Sequence, residues 1–151
     1  MAIRHYAQVR GYRLEVPEAW FALSPWELDQ LQNGIGPDAW PPERRHILDA
    51  ATGFRPCADV HDPDYCLGRT GADRKAADWR FLRNCLRVLL SDTHGWLGLL
   101  IRGGWLATGR RLLVAWIMFR ALRLGGRKAF DAATKVDIAV RGAAAAPMVA
   151  M

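Results

Sequence analysis

The sequence predicts a mainly α-helical protein whose core is a pair of antiparallel helices. Apolar residues recur at helical spacing over residues 70–92, and Ser or Thr residues suited to helix N-caps precede two helical stretches. Breaks that contain glycine separate these stretches. With 151 residues and 51% hydrophobic composition, the chain has the length of a single domain, 1–151, and enough apolar side chains for a core.

The N-terminal part is predicted to combine an irregular segment with one short helix. Residues 1–23 are expected to be irregular, with weak strand alternation over Tyr12–Val16. The stretch Ser24-Pro25-Trp26-Glu27 then supplies an N-cap, a proline suited to the first turn and an acid that closes a capping box. This helix is expected to stop at Asn33-Gly34.

The middle of the chain is expected to hold two helices after a loop. Two glycines mark residues 33–38 as the loop. A short helix is predicted over residues 43–51, and Gly53 breaks it. A second helix is predicted over residues 56–67, and Gly68-Arg69 ends it.

The next predicted helix has a clear apolar stripe. Thr70 is suited to its N-cap, Asp73 in the first turn suits the helix dipole, and the helix should end near Ser91-Asp92. The stripe residues recur at helical spacing: Ala77, Phe81, Cys85 and Val88, widened by Leu82, Leu86 and Leu89.

A last helical region is predicted over residues 105–124, ending at Gly125-Gly126, and residues 132–151 are expected to be a partly frayed tail. Arginines interrupt the apolar runs of this region. The longest uninterrupted run, residues 112–119, is far shorter than the roughly 20 residues that cross a bilayer. We therefore expect an amphipathic helix that is buried or lies on a surface.

The charge balance predicts an anionic partner. Basic residues outnumber acidic ones by 21 to 15, which gives a net charge of +6, and the chain has seven Trp. Because indole rings favour the membrane interface, we expect a phospholipid surface of anionic character. Residues 102–128 are rich in arginine but offer no aromatic stacking platform, so no nucleic acid is expected as a partner.

The N-terminal residues and the cysteines indicate where the chain is made. The first residues contain no apolar segment of the signal-peptide kind. Three cysteines do not suit a disulfide framework. We therefore expect synthesis in the cytoplasm without a signal peptide.

His61 and its neighbours form the pattern that points most directly to chemistry. On a helix over residues 56–67, His61 and Tyr65 share one face, and Asp62 lies about 100° away. A short turn lets the following helix run antiparallel, which brings Asp78 level with His61. A carboxylate behind an imidazole holds it in one tautomer and raises its basicity, and Tyr65 could hydrogen-bond the same carboxylate.

Asp62 is placed to serve a different partner. Ca²⁺ prefers carboxylate oxygens combined with backbone carbonyls, which a carboxylate beside a glycine-containing loop can offer. Residues 33–38 form the upstream loop with the right composition. The sequence therefore predicts a Ca²⁺ site between Asp62 and this loop.

Four stretches of the chain resemble the phospholipase A2 superfamily, most closely the small phospholipase A2-like proteins of bacteriophages and prophages. They are the loop 33–37, the segment 54–65 with its His-Asp-x-x-Tyr pattern, the segment 76–81 with its Asp-x-x-Phe pattern, and residues 120–130. The resembling region spans residues 24–131. The resemblance implies a mainly α, phospholipase A2-like fold, with two antiparallel core helices that carry the His-Asp and Asp residues, a calcium loop upstream and extra C-terminal helices.

The resemblance also implies calcium-dependent hydrolysis of the sn-2 ester of glycerophospholipids at a membrane interface. His61 would take a proton from the attacking water, and Asp78 would orient His61 with support from Tyr65. The metal ligands would be the Asp62 carboxylate and three loop carbonyls: Gly34, Gly36 and Asp38. The cation and the Gly36 backbone N–H would polarise the ester carbonyl and hold the oxyanion.

The chain departs from the family at one place. Family members usually join a loop cysteine to a cysteine three residues before the histidine, but these positions here hold Ile35 and Ala58. Cys57 stands one residue away and is expected near Cys85 on the neighbouring helix. Two alternatives remain for this pair: a bridge under oxidation, or two buried free thiols.

Two further functions remain open from the sequence. The chain could retain the fold as a non-catalytic membrane- or virion-associated protein, which its basic, Trp-rich second half would suit. Nucleic-acid binding through residues 102–128 is the other alternative, which the missing stacking platform disfavours. The resemblance leaves open an association with a phage particle or a secretion machinery.

Overall fold

The computed structural model describes residues 3–32, 41–92 and 105–144, without the side chains at positions 42, 44–46, 48, 105–107 and 132–144. The chain is mainly helical, with one two-stranded antiparallel sheet. Its elements in chain order are β1 (His5–Val9), β2 (Tyr12–Val16), a 3-10 helix (Glu18–Ala22), α1 (Pro25–Leu31), α2 (Pro42–Thr52), α3 (Arg55–Leu67), α4 (Gly71–Asp92) and α5 (Trp105–Ala144).

The N-terminal residues form a β-hairpin, so the expectation of an irregular segment over residues 1–23 is wrong. β1 and β2 pair antiparallel, and the turn residues Arg10 and Gly11 have positive φ angles of 47° and 84°, which suit a two-residue hairpin turn. The strand expected at Tyr12–Val16 is confirmed. Its alternation is weak because Glu15 is buried together with its apolar neighbours.

Glu15 is buried because α4 supplies its partners. Arg83 donates to both carboxylate oxygens of Glu15, at 2.9 and 2.6 Å. Burial opposes ionisation of Glu15, but these hydrogen bonds hold its pKa below the ordinary value. The fully buried Asn84 amide bonds the backbone N–H and C=O of Glu15, each at 2.8 Å. These contacts attach the hairpin to α4.

The two short helices before the core have the predicted boundary signals. The capping box of α1 is confirmed, because the Ser24 hydroxyl accepts from the Glu27 N–H at 3.2 Å and Glu27 accepts from the Ser24 N–H at 2.7 Å. α1 ends at Leu31, and the predicted stop at Asn33-Gly34 lies outside the described residues. α2 ends before Gly53, whose φ of 68° is left-handed, as the predicted break requires.

α3 and α4 form the antiparallel pair that the sequence predicts. Tyr65 near the end of α3 bonds Asp78 in the first half of α4, whereas Cys57 near the start of α3 contacts Cys85 further along α4. Thr70 caps α4 as predicted, since its hydroxyl accepts from the Asp73 N–H at 3.2 Å. The predicted stripe of α4 is buried or partly buried apart from one residue, Leu86, which is 38% exposed.

α5 is much longer than the sequence predicts. The predicted end at Gly125-Gly126 is wrong, because the helix continues to Ala144. The backbone of residues 132–144 is therefore helical where a frayed tail was expected, and residues 145–151 lie outside the described part. α5 packs against both α3 and α4. Among the described residues, no helix is both long and apolar enough to cross a membrane.

Cys57 and Cys85 are free thiols in the core between α3 and α4. Both are fully buried and belong to the same hydrophobic core cluster. Burial and the neighbouring thiol raise the pKa of Cys85 well above its ordinary value. Of the two alternatives that the sequence left open, the structure has the pair of buried free thiols.

Candidate active site

Asp78 lies at the centre of a buried polar cluster between α3, α4 and α5. Its carboxylate is fully buried, and Oδ1 accepts a hydrogen bond from the Tyr65 hydroxyl at 2.5 Å. The Nε2 atom of His61 lies 3.5 Å from the same oxygen. Arg123 of α5 donates to Oδ2 at 2.9 Å. The predicted convergence of His61, Tyr65 and Asp78 is therefore confirmed, and Arg123 is a donor that the sequence did not reveal.

The surroundings of Asp78 fix its protonation state. Burial alone would raise the pKa of Asp78, but hydrogen bonds from His61, Tyr65 and Arg123 outweigh burial and hold that pKa below the ordinary value. Burial, together with the adjacent Asp78, raises the pKa of Tyr65 far above its ordinary range. At neutral pH, Asp78 is an ionised acceptor and Tyr65 is a neutral donor.

The position of His61 determines which of its nitrogens can act as a base. Because Nε2 faces an ionised carboxylate, the favoured tautomer carries its proton on Nε2 and leaves the Nδ1 lone pair as the acceptor. The ring is held by Tyr65, at a centroid separation of 4.0 Å, and by Phe81, at 5.4 Å. His61 is 6% exposed, so little solvent competes for the ring.

One face of α5 completes the surroundings of the polar cluster. Arg123, Gly126 and Phe130 follow each other at three- and four-residue spacing, which places them on the same side of a helix. Arg123 bonds Asp78, Gly126 lies against the Tyr65 hydroxyl, and the ring of Phe130 stands edge-on to the Tyr65 ring at 5.3 Å. The spacing of these three residues is visible in the sequence. The predicted helix end at Gly125-Gly126 separates Arg123 from Phe130 and so hides their common face.

Substitution of Gly126 by Ala is expected to disturb the cluster. A Cβ atom built at Gly126 would lie 2.6 Å from the Tyr65 hydroxyl oxygen, so Tyr65 must move away from Asp78 or α5 must shift. We expect the free energy of unfolding to fall by about 1–3 kcal/mol, the usual cost of overpacking a core, as measured by urea denaturation.

Gly125 provides the matched control for this substitution. It precedes Gly126 in the same helix, but a Cβ atom there would meet nothing within 4 Å. Gly125→Ala should therefore raise the free energy of unfolding by up to about 1 kcal/mol through helix propensity. Equal effects of the two substitutions would contradict the proposed close approach of Gly126 to Tyr65.

The predicted metal ligands are only partly within the described residues. Asp62 is half-buried on α3, next to His61, and offers the hard carboxylate oxygens that Ca²⁺ prefers. The three loop positions lie outside the described residues: Gly34, Gly36 and Asp38. In the part of the chain that the structure describes, no group of three or more His, Cys, Asp or Glu side chains is arranged to hold a metal ion. A site built mainly from backbone carbonyls would not form such a group.

Comparisons with known proteins find no match: no protein-family model, no curated protein and no solved structure matches the chain. The functional conclusions therefore depend on the geometry and chemistry of the side chains themselves. Foremost among these are the buried contacts of Asp78 with His61, Tyr65 and Arg123.

Proposed function

We propose that this protein is a calcium-dependent, phospholipase A2-like esterase that hydrolyses the sn-2 ester of glycerophospholipids at a membrane interface. One observation carries the proposal: a buried histidine on one helix faces an ionised aspartate on an antiparallel helix, and a tyrosine bonds the same aspartate. The matching residues are those on which the resemblance to phospholipase A2 rests. A phospholipase A2-like fold around α3 and α4 belongs to the same proposal.

In this mechanism His61 is the general base. Its Nδ1 atom takes a proton from a water molecule as the water oxygen attacks the ester carbonyl. Asp78 holds the Nε2–H and stabilises the imidazolium that forms, and it remains ionised itself because Tyr65 and Arg123 bond it. The imidazolium then returns its proton to the leaving alkoxide, so that the acid and the lysophospholipid are released.

Asp62 and the loop carbonyls of Gly34, Gly36 and Asp38 would hold Ca²⁺ in this proposal. When bound, the cation would supply positive charge to polarise the ester carbonyl. Asp62 follows His61 directly in α3, so a ligand and the base would be carried on adjacent positions of one helix. Its carboxylate has the hard oxygen chemistry that the cation requires.

An exposed apolar surface on α4 and α5 supports action at a membrane. Six large apolar side chains of these two helices are 38–58% exposed, and we refer to them together as the apolar surface: Trp79, Leu86, Leu112, Leu113, Trp116 and Ile117. The rings of Trp79 and Trp116 both pack on Phe119, at 4.7 and 5.4 Å, which joins the two helices. Such a surface, rich in Trp, fits the boundary between lipid headgroups and acyl chains.

Basic residues border the apolar surface. Arg110 and Arg120 are exposed on α5, and no acidic residue occurs between residues 105 and 130 of the sequence. Positive charge beside an apolar face favours binding to anionic lipid. The surface therefore supports an anionic phospholipid membrane as the partner.

Substitution of Trp116 by Ser is expected to weaken binding to vesicles that contain anionic lipid by roughly tenfold, because an indole leaves the apolar surface. The residue is 46% exposed, so the fold should tolerate the change. Vesicle co-sedimentation measures the effect. Trp26→Ser is the control, since Trp26 is 62% exposed on α1, outside the apolar surface. Equal losses in both variants would argue against the apolar surface as the docking face.

The proposed activity is tested by measuring fatty-acid release from mixed phospholipid vesicles, with Ca²⁺ and with EGTA. Release that requires Ca²⁺ and yields only the sn-2 acid supports the proposal. Release that ignores chelation would remove the metal from the mechanism. The absence of any release by folded protein, with Ca²⁺ present and vesicles bound, would overturn the esterase assignment.

A non-catalytic membrane- or virion-associated protein is the second candidate function. Two observations favour it: His61 is almost completely buried, and the apolar surface involves none of the residues that bond Asp78. A protein of this kind would bind vesicles through the apolar surface without turnover. Co-sedimentation without fatty-acid release, together with normal binding by a His61→Gln variant, would favour this second candidate.

A further inference from the structure

A surface cavity opens where the turn between α3 and α4 meets α5. Its volume is about 260 Å³. Three arginines, one acid, one aromatic residue and one glycine line it: Arg69, Arg74, Arg127, Asp131, Phe130 and Gly71. Three basic residues and one acidic residue therefore line the cavity. Asp131 cancels only part of the positive charge of the cavity, because its side chain is 61% exposed and lies 4.0 Å from Arg127.

One nitrogen of the Arg74 guanidinium group has no hydrogen-bond acceptor among the described residues. This nitrogen, Nη1, is buried. The carboxylate oxygen Oδ2 of Asp78 lies 4.0 Å away, beyond hydrogen-bond distance, and already accepts from Arg123 at 2.9 Å. A buried guanidinium N–H without an acceptor is costly, and a bound anion or water commonly explains such a group.

The cavity is distinct from the position of the proposed base. The cavity is not lined by the proposed metal ligand Asp62 or by the three residues of the proposed catalytic cluster: His61, Tyr65 and Asp78. Two of the lining residues connect the cavity to the polar cluster: Arg74 lies 4.0 Å from Asp78, and the ring of Phe130 packs on the Tyr65 ring. A ligand in the cavity would therefore not occupy the place of the scissile ester.

We propose that this cavity binds a phosphate group, carried either by a lipid headgroup or by a small phosphorylated molecule. Three guanidinium groups match the several acceptor oxygens of a phosphate, and guanidinium forks bind phosphate oxygens in pairs. Phe130 supplies an apolar wall for the carbon atoms attached to the phosphate. Arg74 lines the same cavity, so a bound phosphate would bring acceptor oxygens close to its guanidinium group.

The test uses full-length protein and two soluble probes, inorganic phosphate and glycerol 3-phosphate, at constant ionic strength set with NaCl. Isothermal titration should show saturable binding by the wild type. Arg127→Gln should weaken it by about tenfold, because one charge-assisted contact is lost. The Arg127 side chain is 84% exposed, so this variant is expected to fold normally. Arg4→Gln, which is exposed just before β1 and lies outside both the cavity and the apolar surface, should bind like the wild type.

The single acid of the cavity offers a test of opposite sign. Asp131→Asn removes the repelling carboxylate and should tighten phosphate binding, whereas Asp29→Asn on α1, outside the cavity, should leave it unchanged. If each pair of variants responds equally, the effect is general charge screening and the proposal is wrong. No saturable binding of either probe also overturns it.

A second measurement identifies the source of the phosphate. Vesicles of phosphatidylcholine with and without phosphatidic acid are sedimented with each variant in EGTA. Loss of the phosphatidic-acid preference in Arg127→Gln, alongside weaker glycerol 3-phosphate binding, supports a headgroup ligand. Weaker soluble binding with an unchanged vesicle preference supports a small phosphorylated molecule. Neither measurement requires ester hydrolysis, so the phosphate site and the proposed esterase activity can fail independently.

Discussion

Replacement of His61 by Gln is expected to reduce the proposed calcium-dependent phospholipid hydrolysis by about 10³-fold, because a positioned general base typically contributes 10²–10⁴-fold. Gln is close to His in size but cannot take up the proton at Nδ1. Its amide can still donate towards Asp78, so the carboxylate keeps a partner on that side. The measurement is fatty-acid release from vesicles, with circular dichroism and thermal melting to confirm the fold.

His5→Gln is the matched control for this variant. His5 lies on β1 and packs edge-on against Phe21 at 6.2 Å, away from the Asp78 cluster, so its loss should leave the rate unchanged. Hydrolysis by the His61 variant at the rate of the His5 variant would exclude His61 as the base. A folded His61 variant with slow hydrolysis and normal vesicle binding would separate the chemical step from membrane attachment.

The pair of helices that carries the site could be predicted because its signals are local. The Thr70 cap involves residues three positions apart, and the α4 stripe involves residues three or four apart. Both patterns can therefore be recognised within a short stretch of sequence. Two helices that are joined by a short turn pack antiparallel, and this arrangement places His61 opposite Asp78. Leu86 belongs to the predicted apolar stripe but is 38% exposed, because the stripe in the sequence is wider than the face of α4 that is buried.

The contribution of α5 could not be predicted, because it depends on contacts between distant positions. Arg123 and Asp78 are 45 residues apart, and nothing local marks Arg123 among the neighbouring arginines as the one that turns inward. In the sequence, Gly125-Gly126 predicts a helix end because glycine costs about 1 kcal/mol in a helix interior. At Gly126 the absence of a side chain instead lets α5 approach Tyr65 closely.

The burial of Glu15 in the β-hairpin also depends on residues that are distant in the sequence. Glu15 alternates poorly with its neighbours in sequence, and its burial depends on partners from α4: Arg83, Asn84 and Arg80. Sequence patterns assign a buried position to apolar residues, so a buried acid with distant partners reads as a break. Long-range ion pairs and hydrogen bonds, rather than local propensity, account for what the sequence did not predict.

Asp78→Asn is expected to lower the free energy of unfolding by about 2–4 kcal/mol. All three hydrogen-bond partners of the carboxylate donate: the Tyr65 hydroxyl, the His61 Nε2–H and the Arg123 guanidinium. Arg74 adds a second guanidinium group 4.0 Å from Oδ2. An amide has one acceptor oxygen and one NH₂ group, so at least one donor would face another donor in a buried site. Hydrolysis should fall by about 10³-fold in addition, because the His61 tautomer is no longer held.

The pH dependence of this loss follows from the lowered pKa of Asp78. A carboxylate whose pKa is lower in the folded state contributes stability above its unfolded pKa, about 3.9 for Asp, and loses it as the pH falls through the folded value. The stability difference between the wild type and Asp78→Asn should therefore be complete at neutral pH and shrink below about pH 4. Urea denaturation across this range measures it, and a difference that stays constant at acid pH would contradict an ionised Asp78.

Tyr65→Phe separates the stabilising contacts of Asp78 from its positioning of His61. This change removes one hydrogen bond and keeps the ring that packs on His61 and Phe130, so the free energy of unfolding should fall by only about 1–2 kcal/mol. Asp78 would still be ionised and still be held by Arg123, and hydrolysis should fall far less than in Asp78→Asn. If the two variants lose the same activity in proportion to stability, Asp78 acts only as a structural residue. If activity collapses in Asp78→Asn alone, its carboxylate positions the base.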